Sequence, residues 1–562
     1  MSKRRLPIAA LDIETTPGAH EETPIPILVC IVSDDLHFSV SFWGEDCIHQ
    51  AAQFLSAQKV KGRLLAHNGG KFDYGYFVHD TGNKRVVGSR LLTSEIGGWK
   101  TLDTMLLMPT ALKNLGDKTV EKGEMRLAYH RLDATESERE YLIKYCFLDC
   151  RVLLDAYRRF CKVFTGDPDT PCKDTAAANA FKALRAHYPD APPSAWKTTK
   201  LFDTKYRPFY HGGIVNTFGP ARDISGSFTM VDANSMYPAA MKNYQHPCSN
   251  RIIDVVNPRL TKDGKLDKFG DRVFFIEFEG HSTILPHVSK TGALEYNVEG
   301  VYRVTSHELQ AAIRRGFVRV DRVISAHICQ DTQDYSDFVD EYYGLRMAEK
   351  AKGNAEEYVY KIVLNSAYGK FGQDPENYSE IVFCEMGVTP DNTEGYSEWK
   401  PKGKTEDGVN VIWERSKLLE DDDRAFINVA TAASITGAAR ACLIDAIGAV
   451  IHSGGTVHYC DTDSLVFEGT PTMSLGSKLG EWKVELELDR VVIAGPKLYT
   501  FKKAGKDAWK VASKGVRVSA DAIVKLVADI EDIVYRPDMG SFNVAGVYRT
   551  TKRTIKRSSL KR

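Results

Sequence analysis

The stretch Tyr459-Cys460-Asp461-Thr462-Asp463-Ser464 constrains this chain more than any other. It lies between two β-prone apolar runs, Gly455-Thr456-Val457-His458 and Leu465-Val466-Phe467, the pattern of a hairpin with a short polar turn. Carboxylates two residues apart on an extended chain point the same way, so Asp461 and Asp463 are expected together at the hairpin tip. Like charges that close raise one another's pKa, and keeping both ionised at neutral pH calls for a counter-charge, most simply a divalent cation. An isolated acid pair in a turn is ordinarily a solvated loop end. Other parts of the chain argue against that here.

The run Phe228-Thr229-Met230-Val231-Asp232 predicts a buried strand ending on an acid. It turns through Ala233-Asn234-Ser235 and enters a helix with Pro238 near its start, where a missing N–H costs nothing. An acid at a strand end beside a helix N-terminus suits a metal and a triphosphate together. Apolar spacing predicts a helix over 335–352 with Arg346 and Lys350 at i, i+4, broken at Gly353-Asn354. Asn354 with Glu357 has the pattern of a capping box for a second helix over 356–369. On that helix Lys361, Asn365 and Tyr368 form one stripe, with Ile362, Val363 and Leu364 on the buried side. Such a stripe is often solvated surface, but cation, amide and ring on one face also fit a nucleotide. Lys361, Arg346 and Lys350 would meet the phosphates, and Tyr368 the base.

A separate set of acids lies near the N-terminus. Asp12 and Glu14 share one face of the apolar strand Ile8-Ala9-Ala10-Leu11-Asp12-Ile13-Glu14, where an acid is costly unless paired or bound to metal. A second strand, Leu64-Leu65-Ala66-His67, ends in a Gly-Gly turn offering Asn68 and Asp73. A helix over 141–154 places Tyr145 and Asp149 at i, i+4. Asp103 is nearby and is given a structural role. Four carboxylates and a phenol are a ligand set for two divalent cations and a group to orient an attacking water.

These N-terminal motifs resemble the DEDDy type of 3′–5′ exonuclease. The resemblance implies that Asp12, Glu14, Asp73 and Asp149 bind two metals and that Tyr145 positions the attacking hydroxide. Thr15, Asn68 and Phe72 would hold the frayed 3′ end, Phe72 by stacking on a base. The later motifs, Asp232-x-x-Ser235-Met236-Tyr237-Pro238, Lys361-x-x-x-Asn365-Ser366-x-Tyr368-Gly369 and Tyr459-x-Asp461-Thr462-Asp463-Ser464, resemble motifs A, B and C of the family B DNA polymerases, in the same order. Met236 stands where the family usually has Leu, a volume-conserving change. By that resemblance Asp232 and Asp463 are the principal metal ligands, Asp461 contributes less directly, and Tyr237 lies under the sugar and excludes a 2′-hydroxyl.

Two inserts, Tyr210-His211-Gly212-Gly213, Thr436-x-x-Ala439-Arg440 and Lys497-Leu498-Tyr499 look like the protein-primed, tectivirus-like bacteriophage branch. That branch implies an α/β and α+β multidomain fold, a ribonuclease H-like exonuclease domain followed by a right-hand polymerase with two inserted subdomains. The expected divisions are 1–170 exonuclease, 171–243 and 426–515 palm, 244–340 a terminal-protein-binding insert, 341–372 fingers, 373–425 a second insert for processivity and strand displacement, and 516–562 thumb. Tyr210, Gly212 and Gly213 would pass the primer between sites, and Thr436, Arg440, Lys497 and Tyr499 would hold primer terminus and template. The implied cofactors are two Mg²⁺ per site, with Mn²⁺ able to substitute. The implied partners are template and primer DNA, dNTPs and a terminal protein forming a heterodimer, on an otherwise monomeric enzyme. Two other readings remain: a polymerase extending ordinary primers or starting without one, and a nuclease whose polymerase body is only a scaffold.

Composition is consistent with this. The 562 residues suffice for three or four compact units, and 74 basic against 74 acidic residues leave a nucleic-acid partner open. The 11 cysteines include no CxxC pair, which fits a reducing compartment. No apolar run is read as approaching membrane-spanning length, and Met1-Ser2-Lys3-Arg4-Arg5 leads into a strand, so a cytoplasmic protein is expected, in a bacterial host if phage-encoded. The basic run from Tyr548 to Arg562 could be a duplex-contacting edge or a solvated tail.

Overall fold

The computed structural model describes residues 6–18, 22–77, 84–87, 90–116, 123–188, 198–405, 408–418, 427–470, 473–513, 515–535, 537, 540–543, 547–550 and 552–560. The acidic run at 420–423 and the Pro-rich link at 189–193 lie outside them.

The N-terminal unit is built on a six-stranded sheet centred on Ile8–Thr15. That strand pairs antiparallel with Pro26–Ser33 and parallel with Arg63–Ala66, which in turn runs parallel to Trp99–Asp103. The period of two sorts its residues: Ala9, Leu11 and Ile13 share a core with helix Cys47–Ala57, whereas Ile8 and Ala10 share one with helix Glu136–Thr165. Asp12 and Glu14 follow the even positions, so they face the helix bearing Tyr145 and Asp149. This helix is well delimited. Thr135 and Glu138 cap its start reciprocally, and Gly166, at φ 76°, ends it.

The central unit is a seven-stranded antiparallel sheet. Arg222–Ala233 lies between Trp482–Gly495 and Ser464–Glu468, and Thr456–Asp461 completes the hairpin expected around the acid pair. One face, through Val231, Leu465 and Phe467, shares a core with helix Val429–His452. The opposite face carries Met230, Tyr459 and Val466, and by alternation Asp232 and Asp461 belong to that side. By length and composition Val429–His452 could cross a membrane, which corrects the reading that no apolar run approaches that length. Its residues are instead buried in the protein core.

The first insert is a folded unit rather than loop decoration. A short antiparallel pair, His246–Pro247 with Thr332–Gln333, closes its base. Above it, a four-stranded sheet and helix Ser306–Arg314 contribute Phe274, Ile276, Val304 and Leu309 to the same core as Val429–His452. Helices Ser336–Lys352 and Glu356–Ser366 follow, separated by Gly353 at φ 69°. The expected capping box at the second helix does not form. Ala355 takes the cap position, and the Asn354 amide donates to Glu349 Oε2 at 2.6 Å, which holds the side chain on the preceding helix.

The second insert pairs with the N-terminal unit. Tyr378–Glu385 hydrogen-bonds to Asn410–Ser416 on one side and to Lys84–Val87 on the other, giving one five-stranded sheet across two segments expected to be separate. Lys84 is buried in this joint with Nζ 3.9 Å from the Phe383 ring centre, and burial pushes its pKa down to about 7. Near the C-terminus, Ile533–Tyr535 pairs with Arg553–Ile555, and Arg557 Nε is 2.9 Å from Asp532 Oδ1, so part of the basic run is structured.

Candidate active sites

The first centre forms where three segments converge on the open face of the central sheet. Asp232 is paired in register with Ser464, and the Ala233 N–H donates to the Asp463 carbonyl at 2.8 Å, bringing the hairpin tip against the end of the Asp232 strand. The tip is tight: Thr462 has φ 60°, and the Asp463 N–H donates to the Asp461 carbonyl at 2.6 Å. Gly213 explains the paired glycines upstream. A Cβ there would lie 2.5 Å from Thr462 Oγ1, so close approach demands glycine, while the Thr462 N–H donates to Ile214 O at 2.8 Å. Nothing lies within 4 Å of a Cβ at Gly212.

Charge is crowded at this centre. Burial, with Asp463 and Glu485 nearby, pushes Asp232 up to about 6, against the opposing pull of Lys510 and Lys361. Burial likewise raises Asp463, with Asp461 adding to it. Asp461 differs from the expectation that both tip acids need a metal. Lys497 Nζ lies 2.7 and 2.6 Å from its two carboxylate oxygens. A lysine therefore supplies the counter-charge, and Asp232 and Asp463 remain as crowded, part-buried carboxylates, a donor set that fits a hard divalent cation.

Helix Glu356–Ser366 presents Lys361 and Asn365 outward, with Val363 and Leu364 in the core. Tyr368 follows in a 3-10 turn, and its ring stacks on Tyr237 at 4.4 Å and 20°. The two tyrosines form a single aromatic floor, with Tyr210 close enough to Tyr368 to raise its hydroxyl together with burial. Lys350 is exposed on the preceding helix. Arg346 instead bridges Glu357, at 2.7 Å, and Ser235 Oγ, at 3.0 Å, and so fastens this helix pair to the Asp232 turn.

Three of the residues expected to contact DNA, Arg440, Thr436 and Tyr499, are buried inside the protein. Arg440, 1% exposed, pairs with Glu308 of the first insert, its side chain 0% exposed, at 2.5 and 2.8 Å, and donates to the carbonyls of His211 and Gly212. Its guanidinium is consumed inside the core. Thr436 is buried on the same helix and donates to the Ala433 carbonyl. Tyr499 is buried in a stack with Phe501 at 4.1 Å and against Tyr459 at 4.7 Å. Lys497, as above, sits on Asp461. Arg440, Thr436 and Tyr499 support the site from beneath, whereas the Lys497 side chain is 38% exposed and is held in place by Asp461. Although burial pushes Glu308 up, Arg440 holds it below the ordinary carboxylate range. Arg440→Ala would strand that charge, and we expect a loss of about 3–5 kcal/mol. Glu308→Leu with Arg440→Met should recover most of it in denaturant unfolding.

The second centre lies in the N-terminal unit. Among the described residues, donor atoms of Asp12, Glu14 and Cys146 fall within 4.8 Å of one another. Asp73 opens a 3-10 turn, where burial, with Asp103 and Glu14 nearby, pushes it up to about 7. Burial raises the Cys150 thiol, and Asp12, Asp149 and Asp73 all add to this, which gathers the acids from three segments around one locus. Tyr145 and Asp149 are buried on the facing helix. Asp103 has the structural role assigned to it: it accepts from the N–H groups of Asn68, Gly70 and Met105 and so holds the Gly-Gly turn, where Asn68 has φ 66°. Thr15 is buried beside Glu14, and Phe72 is half-buried next to Asp73.

Sequence reading missed three participants. His130 Nε2 lies 2.9 Å from Glu14 Oε2, with Nδ1 3.0 Å from the Arg126 carbonyl, and no spacing signal marks it. Cys146 belongs to no motif that the sequence shows. Glu485 acts on both Asp232 and Asp463, and the alternation Val484-Glu485-Leu486-Glu487 could have drawn attention to it.

Comparison with known proteins adds the following. The family described as DNA polymerase type B, organellar and viral, matches residues 112–447. The DNA-directed DNA polymerase of Enterobacteria phage PRD1 is 31% identical over 514 residues, covering 90% of this chain and 85% of that protein. A probable DNA polymerase of Podospora anserina is 24% identical over 356 residues, 58% of this chain and 28% of that one. The structure of Phi29 DNA polymerase complexed with primer-template DNA and incoming nucleotide superposes with a TM-score of 0.70 at 17% identity, covering 98% of this chain and 100% of that one, a likeness of fold.

Proposed function

Because this chain belongs to the organellar and viral type B DNA polymerases and is thus a DNA-directed DNA polymerase acting with divalent metal ions, we propose that it starts synthesis on a protein primer and proofreads with its own 3′–5′ exonuclease. The observation that carries the polymerase chemistry is the Asp463 tip against the end of the Asp232 strand, with Lys361 acting on Asp232 from the facing helix.

In this reading Asp232 and Asp463 hold two Mg²⁺ ions. When bound, such ions lower the pKa of the attacking hydroxyl and neutralise charge on the leaving pyrophosphate. Lys361 and Lys350 meet the triphosphate. Tyr237 and Tyr368 hold the nucleotide, the Tyr237 ring occupying the space a 2′-hydroxyl would need. Asp461 fixes Lys497 at the primer terminus. In the N-terminal unit Asp12, Glu14, Asp73 and Asp149 hold two further ions, Tyr145 orients the attacking water, and Thr15, Asn68 and Phe72 hold the strand end. The Tyr210–Gly213 turn, held by Arg440 and packed on Thr462, helps pass the primer between the two in this reading.

Protein priming is supported by the two inserts. The first shares the central core and is linked through Glu308 and Arg440 to the Tyr210–Gly213 turn, so a protein docked there would bear on the primer route. The second closes against the N-terminal unit as a continuous sheet, a geometry suited to enclosing template and displacing the other strand. The partner is a terminal protein supplying a Ser, Thr or Tyr hydroxyl, and the enzyme works in the cytoplasm of a bacterial host. Incubation with labelled dNTP, Mg²⁺ and candidate partner proteins should yield a labelled protein band that survives denaturing electrophoresis. Extension of nucleic-acid primers with no such band under any partner would reject protein priming.

A further inference from the structure

Phe72, assigned to stack on a frayed base, is covered by a segment far away in sequence. The C-terminal hairpin of Ser541–Phe542 and Tyr548–Arg549 lies against the loop that carries Phe72 and Asp73. The Phe542 N–H donates to the Lys71 carbonyl at 2.7 Å. Its ring meets Tyr76 edge-on at 4.8 Å and Phe72 at 6.4 Å, and Phe72 meets Tyr76 edge-on at 5.5 Å. Both ends of the cluster are anchored: the Tyr76 hydroxyl donates to the Pro24 carbonyl at 2.8 Å, and Tyr548 backs Phe542 at 5.2 Å. Gly75 lies beneath the ring, where a Cβ would stand 2.2 Å from it. The contact is fitted, since any other residue at 75 would lift the hairpin away.

We propose that this hairpin completes the single-strand cleft of the 3′–5′ exonuclease, with Phe542 as a positioning residue that sets the Phe72 ring for the 3′-terminal base. The inference rests on the exonuclease reading above. A ring on a free loop loses conformational freedom when a base stacks on it, and a ring already packed by Tyr76 and Phe542 loses less. Lys71 and Arg549, both exposed beside this cluster, supply the positive charge that a single-strand backbone follows. The ligand is the unpaired 3′ end of DNA, read by stacking and charge rather than by base identity.

The test is the split between KM and kcat for Mg²⁺-dependent 3′ degradation of a single-stranded oligonucleotide by the full chain, with primer extension confirming that each variant is folded. Phe542→Ala should raise KM about tenfold with kcat within about twofold, and Phe542→Tyr, which keeps the ring, should restore KM. Gly75→Ala should mimic Phe542→Ala alone yet add nothing in the Phe542→Ala background, because the ring it would strike is gone. An unchanged KM for a folded Phe542→Ala chain would overturn the proposal. So would a Gly75→Ala cost equal in both backgrounds, which would place the effect on nearby Asp73. No degradation by the unsubstituted chain would overturn the exonuclease reading and this inference together, a result visible before any substitution is made.

Discussion

Asp463→Ala, and separately Asp232→Ala, should reduce nucleotide addition by a factor on the order of 10³ or more, with 3′ degradation of single strands near the unsubstituted rate. The expectation follows from charge. The two carboxylates are part-buried and crowded, with Asp232 raised to about 6 and Asp463 raised as well, a repulsion relieved when a divalent cation binds. Removing either acid removes one ligand and also the field that makes the site attractive to a cation, and Asp461, committed to Lys497, cannot substitute. The effect should be read as rates of primer extension and of oligonucleotide shortening in the same preparations. Parallel loss of both activities would mean a shared site or a folding defect. A pH dependence accompanies this. Asp232 must release its proton for metal to bind, so extension at limiting Mg²⁺ should fall as pH drops through about 6, and excess Mg²⁺ should move that midpoint lower.

The converse substitution, Asp12→Ala with Asp149→Ala, should abolish shortening of single strands by a comparable factor while primer extension continues, now with mismatched ends accumulating. Asp12 and Asp149 come from a strand and a helix that share one face of the N-terminal sheet, and Asp12, Asp149 and Asp73 act together on the thiol between them. Removing two acids leaves Glu14 and Asp73, too few to hold a pair of cations. Retained shortening in the double variant would move the nuclease chemistry elsewhere.

Some features were legible because they are local. The hairpin around Asp461 and Asp463, the strand ending on Asp232, the helix carrying Tyr145 and Asp149, and the Lys361 stripe each follow from a period of two or of 3.6 residues, and each is found where the pattern puts it, except that the last helix ends at Ser366 and leaves Tyr368 in the 3-10 turn beyond. The cap at Asn354 failed for an equally local reason, because its side-chain amide donates to Glu349 and is held on the preceding helix, away from the N–H groups its oxygen would have to accept from. The need for glycine at 213 was not legible: only the fold shows that Thr462 approaches there, and that Gly212 faces open space.

Sequence by itself determined which side chains could bear chemistry and on which face of an element each lies, since that depends on backbone periodicity alone. Tertiary structure decided which of the cations and rings face substrate and which are used up inside. Arg440 meets Glu308 from 132 positions away and Lys497 meets Asp461 from 36. A side chain's partner is fixed by proximity in space, whatever the order of the two along the chain.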